Sequence, residues 1–141
     1  MADDTSAGGF EYRGRTFRFR EARYTWEPGE LFLEAVGERC WLSLVGVPFP
    51  GVAEVAELPG RVWEPDDEEL FEHADTFAEG GLRIRKRSLW IMNGRIECRR
   101  YEAERDILVV SFRLHVRDDE RGREDEADGI LYGRSAPDQD G

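Results

Sequence analysis

Apolar and charged side chains alternate along most of this chain. Between residues 15 and 46 the alternation is almost unbroken, and it returns from residue 106 to residue 118. A period of two is typical of strands that bury one face and expose the other. The pattern predicts an all-β protein, an antiparallel meander of about eight to ten strands arranged as a β-sandwich or, alternatively, as an up-and-down barrel.

The first turn predicts the pairing of the first two strands. If Gly14 and Arg15 form a two-residue loop, Phe10 faces Phe19 and Tyr12 faces Phe17. Aromatic side chains then share one face of the hairpin, and opposite charges share the other. We therefore prefer this register to the one in which the loop is moved by a single residue, which would pair Phe10 with Phe17 and Tyr12 with Arg15.

Two further turns extend the meander. Pro28 and Gly29 fit the centre of a type II turn, which pairs Tyr24 with Leu33. A loop of residues 37–38 would then pair Leu33 with Leu42. Three consecutive antiparallel turns predict four adjacent strands.

The second strand changes the face that it buries. Its apolar positions have one parity up to Phe19 and the other parity from Tyr24 onward, which a regular strand does not allow. The sequence therefore predicts a bulge or bend between Arg20 and Arg23, of the kind that lets a sheet curl.

The Asn-Gly pair at residues 93–94 is a strong hairpin signal, because both residues tolerate positive φ. A turn there places Arg85 opposite Glu102 and Arg83 opposite Glu104. The basic side chains of this segment would then be paired with carboxylates across the hairpin.

Residues 46–80 are irregular and rich in proline and glycine. They leave room for one short strand at residues 52–58. Pro65 and the acidic residues after it predict at most one short helix near residues 66–74, since carboxylates favour the first turn of a helix. A lid or a mobile loop is the alternative interpretation of this segment.

Length and composition predict one folded domain. The chain has 141 residues, and its 40% hydrophobic content includes eight Phe, four Trp and four Tyr, which offsets a charged fraction of 36%. We expect a single all-β domain over residues 9–135, a disordered tail at residues 1–8 and a flexible tail at residues 136–141. Cys40 and Cys98 lie in strand patterns and are expected to be buried thiols.

The net charge of −11 limits the classes of binding partner that are expected. Negative surface is repelled by phosphate backbones, so nucleic acid is not an expected partner, whereas a basic protein is favoured. No apolar run reaches the length of a membrane helix, and residues 1–9 lack a basic and apolar leader. We therefore expect a cytoplasmic protein without a membrane partner, and the oligomeric state is left open.

The sequence contains no recognisable catalytic constellation. His73 and His115 lack ligands at metal spacing, and phosphate-binding and nucleophile-elbow motifs are absent. Residues 124–129 match only the first half of a calcium loop, because its twelfth position is Ser135. No catalytic residue, metal ligand or cofactor is predicted; an enzyme that uses residues 46–80 as a lid is a minor alternative.

Two groups of residues are candidates for binding. Arg83, Arg85 and Arg87 share one strand face in the single basic cluster, which would suit an anionic ligand unless neighbouring carboxylates pair with them. Trp90 and Met92 share a strand face that is expected to be half exposed.

The absence of catalytic groups, the acidic charge and the sheet pattern predict a soluble, non-catalytic protein-binding module, such as an immunity or adaptor protein whose partner is basic. The alternative is a carrier of a small apolar ligand. The length and meander order resemble lipocalin-like barrels in outline, and that resemblance implies a ligand inside the barrel. The Gly-x-Trp signature of those barrels is absent here, since the corresponding residues 24–26 read Tyr-Thr-Trp.

Overall fold

A computed structural model describes residues 7–135, which form nine strands and two short helices. In chain order the elements are the strands β1 (Gly8–Tyr12), β2 (Arg15–Glu27), β3 (Glu30–Gly37), β4 (Cys40–Pro48) and β5 (Val62–Trp63), the helices α1 (Asp67–Glu72) and α2 (Ala74–Ala78), and the strands β6 (Gly81–Ile84), β7 (Arg87–Glu102), β8 (Ile107–Asp118) and β9 (Arg123–Ser135). Residues 1–6 and 136–141, which the sequence assigns to two tails, lie outside the described residues. Gly8, also assigned to the first tail, begins β1.

Eight of the strands close into an antiparallel β-barrel. Its order around the ring is β7-β6-β4-β3-β2-β1-β9-β8, and β8 pairs again with β7. The long strand β7 joins the two ends of the meander, because its start pairs with β6 and the rest pairs with β8. The all-β prediction and the alternative barrel are confirmed. The sandwich is wrong, since a single sheet closes on itself.

Alternate side chains of every barrel strand fill the interior. The largest fully buried side chains come from six of the barrel strands and from Leu58: Leu31, Leu33, Leu42, Leu44, Leu58, Leu82, Ile96, Leu108, Leu114 and Leu131. Aromatic rings complete the core, with the Phe10 and Phe17 centroids 5.2 Å apart. Cys40 and Cys98 are buried free thiols, as the sequence predicts.

The loop of the first hairpin lies one residue before its predicted position, so the pairing differs from the predicted register by two residues. Phe10 faces Phe17 and Tyr12 faces Arg15, so the loop consists of Arg13 and Gly14. Both loop residues have positive φ, 54° and 78°. This is the geometry of a type I′ turn, whose twist matches that of the strands and outweighs the cross-strand charge pairs on which the prediction relied.

The turn at Pro28 and Gly29 is confirmed, with Tyr24 opposite Leu33. The next turn is wrong by two residues, because Leu33 faces Leu44 rather than Leu42. Gly37 does not form the loop. It belongs to β3, where a Cβ atom would collide with the Arg18 carbonyl oxygen of β2. A shift of two residues leaves every side chain on its predicted face.

The predicted change of face in β2 is confirmed. The pairing between β2 and β3 shifts between Phe19 and Glu21, at the start of the predicted interval. Buried side chains accordingly change parity from Phe19 to Ala22 and Tyr24. This bulge bends β2, so that its first half pairs with β1 and its second half with β3.

The predicted hairpin at residues 93–94 is wrong. The strand β7 continues through these residues, and the turn lies at Arg85 and Lys86, where Arg85 has a φ of 58°. A Cβ atom on Gly94 would lie only 2.8 Å from Leu114 Cδ2, so this glycine permits close packing of β8 rather than a turn. The expected pairs of Arg83 and Arg85 with Glu102 and Glu104 therefore do not form.

Residues 49–80 fold against the barrel. The predicted strand at residues 52–58 is wrong, because Val55–Glu57 form a single 3-10 turn. The helix α1 lies within the predicted range and begins with a capping box between Asp66 and Glu69, and α2 is an additional helix that was not predicted. Phe77 of α2 stacks on Trp63 at 5.3 Å, and α2 packs between β4 and β7 beside the start of β6.

Closure of the barrel predicts a sharp difference between two glycines of β9. A Cβ atom on Gly129 would collide with the Gly9 carbonyl oxygen of β1 and lie 2.6 Å from Phe10 Cβ, whereas Gly133 has only ordinary contacts from 3.4 Å outward. We expect Gly129→Ala to lower the free energy of unfolding by about 1–3 kcal/mol or more. Gly133→Ala should leave the free energy of unfolding unchanged or raise it by up to about 1 kcal/mol. Urea unfolding measures both, and equal losses would contradict the β1–β9 closure.

Candidate functional site

The antiparallel meander brings four turns to one end of the barrel, which we call the mouth. They are the β1–β2 turn at 13–14, the β3–β4 turn at 38–39, the β6–β7 turn at 85–86 and the β8–β9 turn at 119–122. A pocket of about 900 Å³ opens between three of these turns. Its lining consists of Tyr12, Arg13, Arg15, Phe17, Ile84, Arg85, Lys86, Arg87, Leu89, Asp118, Glu120, Arg121 and Arg123.

The wall of the pocket is partly apolar. Phe17, Ile84 and Leu89 line it, and Ile84 and Leu89 are buried members of the barrel core. Ile84 ends β6, and Phe17 and Leu89 lie two residues further into the barrel than Arg15 and Arg87 on the same strands, so the apolar surface of the interior continues into the pocket. A ligand could therefore cover apolar surface and contact charged groups at once.

The rim of the pocket is strongly basic. Seven of its residues are Arg or Lys and only two are acidic, which leaves five positive charges in excess. The whole chain, by contrast, carries a net charge of −11. Positive charge is thus concentrated at one end of an acidic protein, and an anion would be drawn to that end.

Most of these cations have no carboxylate partner. Arg13 pairs with Asp125 at 3.1 Å and Arg87 pairs with Asp118 at 3.0 Å. Within residues 7–135, the other five make no ion pair: Arg15, Arg85, Lys86, Arg121 and Arg123. Their guanidinium and ammonium groups are free to bind an anion without first breaking a bond inside the protein.

Asp118 organises the rim. It is only 4% exposed, and it accepts hydrogen bonds from Arg87 and from the backbone N–H groups of Glu120 and Arg121. Burial acts to raise the pKa of this carboxyl, but the hydrogen bonds and the Arg87 charge outweigh it and lower the pKa below the usual value. The carboxylate therefore fixes both the β8–β9 turn and the Arg87 guanidinium.

Tyr12 supplies a neutral polar group to the same pocket. Burial raises its pKa, and the nearby carboxylates of Asp118 and Asp125 raise it further, so the phenol stays protonated at neutral pH. Its hydroxyl makes no hydrogen bond to any described residue. It can donate one to an anionic ligand.

The structure brings only part of the predicted binding set to the pocket. Arg85 and Arg87 line it. Arg83 lies outside, with its guanidinium carbon 5.7 Å from the centre of the Trp41 ring. Trp90 and Met92 are 54% and 41% exposed on the outer face of β7 and do not line it.

Sequence reasoning missed five of the cations, namely Arg13, Arg15, Lys86, Arg121 and Arg123. Each lies in or beside a turn between two alternating segments. The signal that could have found them is positional, because alternate turns of a meander meet at the same end.

The remaining reactive side chains are dispersed. Among the described residues, no group of three or more His, Cys, Asp or Glu side chains could hold a metal ion. His115 bonds Glu124 at 2.7 Å on the outside of the barrel. Burial raises the pKa of the Cys98 thiol to about 12, which disfavours the reactive thiolate.

A network of hydrogen bonds centred on the Asp106 carboxylate connects strands at the opposite end of the barrel. The Tyr24 hydroxyl donates to Asp106 at 2.6 Å, and the backbone N–H and hydroxyl of Ser135 donate to the same carboxylate. Here β2 and β9 run parallel for a few residues, with Tyr24 opposite Ser135. The network holds the ends of three strand segments together, away from the mouth.

No protein-family model matches the chain, and comparisons with curated proteins and with solved structures gave no match. In the part of the chain that the structure describes, no helix is long and apolar enough to cross a membrane.

The Asp118 network predicts a specific pH dependence. Because folding lowers the pKa of Asp118, its stabilisation is complete above the unfolded pKa of about 3.9 and is lost as the pH falls through the lower folded value. We expect Asp118→Asn to lower the free energy of unfolding at about pH 7 and to converge with the wild type near pH 2. Urea unfolding at a series of pH values measures this. Asp119→Asn, which loses only an exposed pair with Arg117, should change stability less, and a constant deficit for Asp118→Asn would contradict the assignment.

Proposed function

We propose that the protein is a non-catalytic binding protein for a small anionic ligand that also has an apolar part. One observation carries the proposal, namely the five cations without carboxylate partners around a pocket whose wall is apolar. Arginine binds carboxylate, sulfonate and phosphate groups through its planar fork of donors, and the Tyr12 hydroxyl adds one neutral donor.

The free energies of the expected contacts are large enough for measurable binding of such a ligand. Burial of about 200 Å² of apolar ligand surface contributes about 5 kcal/mol at most, at 25 cal/mol per Å². One or two charge-assisted hydrogen bonds add about 1.5–3 kcal/mol each. These terms total at most about 11 kcal/mol, and an association cost of at least about 4 kcal/mol leaves at most about 7 kcal/mol, which corresponds to a dissociation constant of about 10 μM at the tightest.

This proposal modifies the idea of a carrier with its ligand deep inside a barrel. The interior is filled by side chains such as Leu31, Leu114 and Leu131, which are fully buried. The ligand would therefore lie at the mouth, with its apolar part against Phe17 and Leu89 and its anionic group among the arginines.

A charge reversal in the β6–β7 turn tests the proposal. The double variant Arg85→Glu, Lys86→Glu replaces two unpaired cations of the pocket. We expect it to weaken binding of dodecanoate by at least about tenfold, measured by isothermal titration calorimetry, because each tenfold loss corresponds to only about 1.4 kcal/mol. Dodecanol, the uncharged analogue, should bind more weakly than dodecanoate to the wild type.

The control has the same change of net charge elsewhere. Arg99→Glu, Arg100→Glu alters two adjacent, exposed residues of β7 that do not line the pocket. It should bind dodecanoate within about twofold of the wild type, since screening limits the effect of distant charges. Equal losses in both variants, or equal affinity for dodecanol, would refute an anion site at the mouth.

A protein-binding module for a basic partner is a second candidate, and one observation favours it. Phe71 of α1 is 86% exposed, and acidic residues of the same segment surround it in sequence. A basic partner with an apolar pocket would match this combination. An immunity or adaptor role would use this side of the molecule rather than the mouth.

The two candidates are separable by one substitution. Phe71→Ala should abolish capture of a basic partner from a lysate of the source organism and should leave dodecanoate binding unchanged, because Phe71 is absent from the pocket. Capture by the wild type should also fall as salt rises. Partners retained by Phe71→Ala at both low and high salt would contradict the second candidate.

A further inference from the structure

The basic surface of the mouth continues beyond the pocket. A second depression, of about 700 Å³, lies on the outer side of the barrel and shares Arg85 and Lys86 with the first. Arg39 and Arg83 also line it, and neither forms an ion pair with a described carboxylate. The cations therefore form a continuous surface across the β6–β7 turn.

Apolar side chains lie within this second depression. Trp41 of β4 pairs with Val36 of β3 across the sheet, and Val36 is 43% exposed. The Trp41 ring is half-buried beneath the Arg83 guanidinium, while its indole N–H donates to Glu34 at 3.2 Å. Tryptophan with a polar end and adjacent arginine is the combination that favours the boundary between lipid and water.

Three carboxylates of the turns at the mouth each lie beside an arginine. Glu38 pairs with Arg20 at 3.2 Å, Asp119 with Arg117 at 3.0 Å and Glu120 with Arg87 at 3.7 Å. Their charges are partly balanced by arginines of the barrel wall. Among the residues that line the two depressions, every charged side chain without an ion pair is Arg or Lys.

We infer that the mouth docks on the surface of an anionic lipid bilayer, and that the pocket takes its ligand from that surface. The second clause rests on the proposed function, because an anionic amphiphile partitions into bilayers. The sequence predicted no membrane partner, since that prediction considered only spanning segments. The unpaired cations become apparent as one surface only when the four turns are placed together.

A bilayer fits this surface better than nucleic acid does. The cations lie in and beside turns at one end of a barrel, so they can meet a plane at the same time. A nucleic acid strand would have to continue along the barrel wall, where several arginines are paired with carboxylates, as in the pair of Arg113 with Asp128 at 2.8 Å. Without a basic track, phosphate backbones gain little there.

Each unpaired cation near an anionic bilayer strengthens binding roughly fivefold. Removing Arg39 and Arg83 should therefore weaken binding at least about 25-fold, and reversing their charge should weaken it further. Neither residue lines the ligand pocket. Docking and ligand binding can thus be tested separately.

The experiment measures co-sedimentation with vesicles of equal parts phosphatidylglycerol and phosphatidylcholine, and with vesicles of phosphatidylcholine alone. We expect the wild type to bind only the anionic vesicles and to be released as salt rises. Arg39→Glu, Arg83→Glu should lower the partition coefficient at least about 25-fold while its dodecanoate affinity stays within about twofold of the wild type. Arg99→Glu, Arg100→Glu serves as the control of equal charge and should still bind.

Several outcomes would overturn the inference. The first is equal binding of the wild type to both kinds of vesicle. The second is a double variant, Arg39→Glu with Arg83→Glu, that binds anionic vesicles as tightly as the wild type does. The third is tighter binding of the wild type to a single-stranded oligonucleotide than to anionic vesicles. Dodecanoate binding without vesicle binding would overturn docking and leave the proposed function intact. Vesicle binding without dodecanoate binding would support docking and remove the proposed function. If the double variant does not fold by circular dichroism, the salt dependence of the wild type decides.

Discussion

Closure of one sheet on itself is the constraint on which the rest of this structure depends. The pairing of β1 with β9, and of β7 with both β6 and β8, closes the ring. A closed sheet has an inside, so alternate residues of every strand must be apolar and must fit together. Glycine at position 129 is part of this requirement, because β1 and Phe112 approach the backbone there too closely for a side chain.

Closure also decides where charge accumulates. In an antiparallel ring each turn lies beside the turn after next, so residues that are distant in sequence become neighbours at the mouth. Arg13, Arg85 and Arg121 belong to three different turns and line one pocket. An acidic chain can in this way present a positive end, and both the ligand site and the bilayer surface that we propose follow from that asymmetry.

The sequence predicted local features better than distant ones. The turn at Pro28 and Gly29 and the bulge in β2 could be predicted, because each depends on a few adjacent residues. The Asn-Gly pair at residues 93–94 led to the wrong prediction of a hairpin. Gly94 is required there because β8 approaches closely, and the local sequence pattern does not contain that contact. For the same reason Arg85 and Arg87 were identified as a run, whereas Arg13 and Arg121 were not, because only the closed ring brings them together.

The wall of the barrel is not uniform. Next to the short strand β6, the space between β4 and β7 is filled by α2, and the Trp63–Phe77 stack and a long hydrogen bond from Thr76 to the Gly46 carbonyl hold it there. Side-chain packing of this kind separates at a smaller free-energy cost than a ladder of backbone hydrogen bonds. We therefore expect local opening of the barrel to begin at α2. Amide hydrogen exchange should then reach the buried amides of β4 from that side before the rest of the ring opens.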